Sequence, residues 1–64
     1  MYIIVECDGY IRSAIDVRGQ ANKYGEPKKF KTKKDAQAWI KKHSYGGMSF
    51  HYEIMKEVLP DGQL

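Results

Sequence analysis

The 64-residue sequence holds one cysteine, two prolines and only two arginines, Arg12 and Arg18. A single cysteine excludes an internal disulfide, and with it the small cysteine-stapled secreted scaffolds. No apolar run approaches the roughly 18 residues that a membrane helix needs. The longest, Tyr2 to Val5, is also too short for a signal-peptide core, and no basic segment precedes it. These absences lead to the expectation of a cytoplasmic protein with no membrane partner. The length allows one domain, residues 1–64. A chain of this size buries only about 60% of its unfolded surface, so its core is thin.

Residues that carry chemistry are equally scarce. Cys7, His43 and His51 are the only soft or imidazole ligands, and their spacing matches no zinc motif. Ser13, Ser44 and Ser49 lack the strand-to-helix elbow that exposes a nucleophile. The only paired glycines, Gly46-Gly47, follow the expected helix rather than preceding one, which is the wrong place for a phosphate loop. The expectation is no catalytic residue, no metal ligand, no cofactor and no enzyme.

Lysine is what the chain has in quantity. The net charge is +3, but Lys23 to Lys42 holds eight lysines against Glu26 and Asp35, so the rest of the chain is acidic. Such segregation gives one basic and one acidic surface. Lys28, Lys29, Lys31, Lys33, Lys34, Lys41 and Lys42 form the candidate basic patch. It is either a solubilising face or a contact for nucleic acid or an acidic protein surface.

Hydrophobic periodicity predicts strand, strand, helix, strand. Residues 1–7 and 11–17 are rich in β-branched side chains around Asp8-Gly9, a strong turn signal. Apolar residues at odd positions in both strands favour a three-residue bulged hairpin, Cys7-Asp8-Gly9, that keeps odd facing odd. The buried face is then Ile3, Val5, Ile11, Ile15 and Val17. Residues 18–29 read as a connector with two glycines and a proline. Thr32 is a good N-cap for a helix over about residues 33–43, with Asp35 in its first turn and Lys41 and Lys42 in its last. Its apolar stripe is Ala36, Trp39, Ile40 and His43, and Trp39 is expected to pack on Ile3, Val5 and Phe50. Residues 48–58 alternate, with Phe50, Tyr52, Ile54 and Val58 on one face, before a polar tail over 59–64.

These elements make a small α+β fold, a two-layer ββαβ sandwich. A right-handed crossover gives a three-stranded antiparallel sheet of order 2-1-3 with the helix on one face. The other face has no cover from this chain. It is expected to show Tyr2, Ile4, Tyr10, Arg12, His51 and Met55, a mixed aromatic and charged surface suited to a protein partner or a second copy in a homodimer.

Two resemblances add to this. The stretch Lys29 to Ile40, KFKTKKDAQAWI, is similar to the strand-to-helix segment of the N-terminal hybrid-binding domain of cellular ribonucleases H. That implies shape-based binding of RNA-containing duplexes. Residues 28–58, with FKTKKDAQAWIKKH followed by YGGMSF, resemble short lysine-rich reading frames of bacteriophages and mobile elements. That resemblance implies an accessory protein in a bacterial host that binds and inhibits a host or defence protein, as anti-CRISPR proteins do. Two functions are therefore expected in competition: a protein-binding inhibitor acting by occlusion, and a nucleic-acid-binding module. Having so little arginine, the second would bind without reading sequence, because lysine contacts phosphate as a point charge.

Overall fold

The computed structural model describes residues 1–44 and 49–57. They contain strands β1 (Tyr2–Asp8) and β2 (Ile11–Ala14), helix α1 (Lys33–His43) and strand β3 (His51–Lys56). The strands pair antiparallel in the order β2-β1-β3, and the helix packs on one face. This is the small α+β architecture that the periodicity predicts. Gly46-Gly47, Met48, Val58 and the tail 59–64 lie outside the described residues.

The hairpin is tighter than expected. Asp8 pairs with Ile11, leaving Gly9 and Tyr10 as a two-residue loop. Gly9 has φ +62° while Tyr10 keeps a negative φ, the pattern of a type II′ turn, which matches the twist of the strands it joins. The register then sets Val5 opposite Ala14 and Glu6 opposite Ser13. Even residues of β1 therefore share a face with odd residues of β2, and one step of register inverts β1.

That inversion decides the core. Ile4, Ile15, Phe30 and Ala36 form the buried cluster, with Tyr2, Trp39, Ile40, Tyr52 and Ile54 packed around it. Ile4 is fully buried and Tyr2 half-buried beneath the helix, so neither belongs to the uncovered face where the odd-to-odd register would put them. Ile3 and Val5 point to that face instead. Ile15, Tyr52 and Ile54 turn toward α1 as expected, but Val17, also expected in the core, is exposed, because the chain leaves the sheet after Ile15. The helix lies over β1 and β3 and does not reach β2, which leaves Ile11 bare at the end of its own strand. Trp39 is half-buried. It meets the edge of Tyr52 at 5.5 Å and stacks on His43 at 3.9 Å, rather than packing on Ile3 and Val5.

Local chemistry places the helix where the sequence does. The Thr32 hydroxyl accepts from the Asp35 amide at 3.1 Å, and the Ser44 amide donates to the Ile40 carbonyl at 2.8 Å, closing both ends.

The connector is built rather than slack. Strand β2 stops at Ala14, and just beyond it Asp16 is buried and turns the chain. Its carboxylate accepts from the Arg18 and Gln20 amides at 2.9 and 3.0 Å and from Asn22 Nδ2 at 3.3 Å. Gly25 packs so closely on this turn that a Cβ there would sit 2.7 Å from Asn22 Nδ2. Phe30 then takes the place vacated by β2, exchanging two 2.8 Å backbone hydrogen bonds with Tyr2.

Candidate functional site

Two surfaces bear functional groups, one on each side of the sheet. The first is the lysine side. Of its seven candidates, two are engaged within the fold. Lys29 pairs with Glu57 at 3.1 Å, and Lys28 is half-buried with its ammonium 5.9 Å from the Phe30 ring centre. Lys31, Lys33, Lys34, Lys41 and Lys42 are exposed and have no ion pair among the described residues. Lys34 and Lys41, seven residues apart, project from the side of α1 opposite Ala36, separated by about 10.5 Å along the axis at 1.5 Å per residue. Lys33 and Lys34 occupy the first turn, where the positive end of the helix dipole repels them by about 0.3–1 kcal/mol each.

The second surface is the sheet face away from α1. Cys7 on the central strand lies between Arg12 and His51 on its neighbours. Glu53, two residues beyond His51, shares that face. The Cys7 thiol donates to Glu53 Oε2 at 3.2 Å, and His51 Nε2 lies 3.0 Å from the same oxygen. Arg12 Nη2 holds the other oxygen, Oε1, at 3.2 Å. One carboxylate thus ties all three strands together. Cys7 is only 4% exposed, whereas the Glu53 and His51 side chains are 44% and 67% exposed.

The electrostatics follow from these contacts. The hydrogen bond from His51, then the thiol and the Arg12 guanidinium, hold the Glu53 carboxyl below the usual range. Burial pushes the Cys7 thiol up, and its hydrogen bond to Glu53 pushes it further. A nucleophilic cysteine needs the opposite environment, with an imidazole against the sulfur; here the imidazole reaches the carboxylate instead. The cluster is therefore unsuited to thiol catalysis. It does bring three metal-ligating atoms within 4.8 Å of one another. Spacing along the chain could not reveal it, since Cys7 and Glu53 are 46 positions apart. The usable signal is pairing: a cysteine on the middle strand facing a His-x-Glu on the last.

Of the residues expected on the uncovered face, Arg12, His51 and Met55 are there and exposed. Tyr10 is fully exposed at the hairpin tip. It does not form one patch with Met55, which pairs with Ile3, about 17 Å along β1 from Asp8 at 3.3–3.4 Å per residue. The described residues enclose no pocket, and none of their helices is long and apolar enough to cross a membrane. Compared with family models, curated proteins and solved structures, the chain finds no match.

Proposed function

We propose that the protein is a non-enzymatic binding module that sets the lysine side of α1 against the phosphate backbone of a nucleic acid. One observation carries this reading: five exposed lysines lack ion pairs among the described residues, and two of them stand in the helix turn where the dipole opposes them. Asp35, Lys41 and Lys42 follow the dipole as a solubilising helix would, whereas Lys33 and Lys34 stand against it. Residues set against their local electrostatics are a mark of function. Arg12, one of only two arginines, is occupied by Glu53, so bidentate base reading has little support and binding depends on charge alone.

Five phosphate contacts give log K against log salt a slope of about −4 to −5 on duplex DNA. The test is fluorescence anisotropy with duplex DNA and an RNA/DNA hybrid over a range of salt. Replacing Lys33, Lys34, Lys41 and Lys42 with glutamine is expected to weaken binding equally for all sequences and flatten the slope by about 3 to 4. Absence of binding by the parent protein at low salt overturns the reading.

A second reading keeps the protein-binding inhibitor of a host or defence protein that the phage resemblance implies. Tyr10 at 105% and Ile11 at 65% exposure favour it, being adjacent large apolar side chains bare at the hairpin tip. Its partner would survive nuclease treatment in a pulldown, and Tyr10→Ala with Ile11→Ser would release it.

A further inference from the structure

We propose that Cys7, His51 and Glu53 form a binding site for one zinc-class divalent ion on the sheet face opposite α1. The reasoning rests on placement and donor type, and is independent of the lysine side.

Sulfur, imidazole nitrogen and carboxylate oxygen make a donor set that borderline ions such as Zn²⁺ prefer, and that Mg²⁺ and Ca²⁺, which favour all-oxygen shells, do not. The three atoms already converge. Glu53 Oε2 lies 3.2 Å from Cys7 Sγ and 3.0 Å from His51 Nε2. Zinc bond lengths of about 2.0–2.3 Å at a tetrahedral angle require donors about 3.4–3.6 Å apart. An ion therefore needs these two contacts to open by a few tenths of an ångström, while Sγ and Nε2, which lie within 4.8 Å of each other, settle at about 3.5 Å. It takes the place now held by hydrogen: the thiol proton goes to solvent, the hydrogen between Nε2 and Glu53 leaves as well, and the neutral imidazole binds through Nε2 with its proton on Nδ1.

The surroundings supply what a site requires beyond its donors. Arg12 holds Oε1 and so orients Glu53 with Oε2 turned to the other two donors. The sulfur is anchored on the central strand and nearly buried, while His51 and Glu53 are open to solvent and leave an approach for the ion. Three protein donors fill three of four tetrahedral positions, and water takes the fourth. Arg12 and Glu6 are the other charged groups that act on the thiol. Arg12 opposes an added cation and Glu6 favours it, so affinity is set by the donors rather than by net charge.

The experiment titrates the purified full chain with Zn²⁺ against a chromophoric chelator, and with Co²⁺ followed by its absorption. The expected result is one ion per chain, with a thiolate-to-cobalt charge-transfer band. Zn²⁺ is also expected to raise the melting temperature, because donors from strands so distant in sequence converge only in the folded protein. His51→Ala and Glu53→Gln, both at exposed positions, are each expected to keep the circular dichroism of the parent and lose about tenfold or more in affinity, at least the loss seen for outer-shell changes. Cys7→Ser should remove the band. The proposal is overturned by no binding, by half an ion per chain, or by binding that persists unchanged in both His51→Ala and Glu53→Gln.

Discussion

At the residue scale, the side chains of β1 hold the most consequential information in the chain. Tyr2, Ile3, Ile4 and Val5 are all apolar, so alternation within β1 cannot say which parity faces the helix. The turn decides it. Once Gly9 and Tyr10 alone form the loop, Ile4 lies beside Ile15 and under Ala36, and Ile3 turns outward. Val5 and Cys7 are nevertheless buried: both stand on the central strand, Cys7 between Arg12 and His51 and Val5 between Ala14 and Glu53. Truncating Ile4, which is fully buried, to alanine is expected to cost about 2–5 kcal/mol. The same change at Ile11, 65% exposed, should stay within about 0.5 kcal/mol. Urea denaturation of both variants checks the assignment, and equal losses would refute the two-residue register. The outward face was legible at Arg12, His51 and Met55, since the alternation of β2 and β3 is clean. Their convergence with Cys7 was not, because it depends on the register between β1 and β3, which no local pattern encodes.

At the scale of elements, the caps and bounds of α1 were legible, though His43 of its expected apolar stripe is exposed. Thr32, the apolar stripe and the terminal lysines all express the same helix, and its bounds match. The connector was not legible, because its order comes from the buried Asp16 carboxylate and from backbone hydrogen bonds of Val17, Asn22 and Lys28 rather than from any periodicity. Backbone donation from Gln20, together with Asn22 and Arg18, holds the Asp16 carboxyl below its ordinary value. A lowered folded value means that its contribution to stability is complete above the unfolded value of about 3.9 and is lost as pH falls through the folded one. Hydrogen exchange should therefore show the Arg18 and Gln20 amides losing protection below about pH 4, ahead of the β1 amides. Asp16→Ala is expected to remove that protection at neutral pH. Gly25→Ala, whose new methyl meets Asn22, should loosen the same amides while leaving the helix intact. If both variants keep them protected, the carboxylate is not what orders the loop.

At the scale of the whole molecule, the sheet separates two chemistries: cationic side chains beyond the helix, and a sulfur, imidazole and carboxylate group on the bare face. The architecture was readable because three short strands and one helix leave few ways to bury a single thin core. The functional surfaces were readable only where charge is dense, as in the lysine segment. The strand order has a further, kinetic meaning. The central strand is the earliest in the chain; it meets one neighbour across a two-residue turn and the other only from the far end, Cys7 lying 46 positions from Glu53. Closing that larger loop costs about 2 kcal/mol more in chain entropy than closing the hairpin, so the hairpin should be in place when β3 arrives. Gly9→Ala, strained at φ +62° by about 1–2 kcal/mol, is expected to slow folding. Ile54→Ala on β3 should mainly hasten unfolding. A chevron with those roles exchanged would place nucleation at the β1–β3 pair. With the expected roles, β3 is the last strand to join and the first to leave, and the Cys7–His51–Glu53 cluster forms and dissolves with it, so the bare face acquires its chemistry only in the final step of folding.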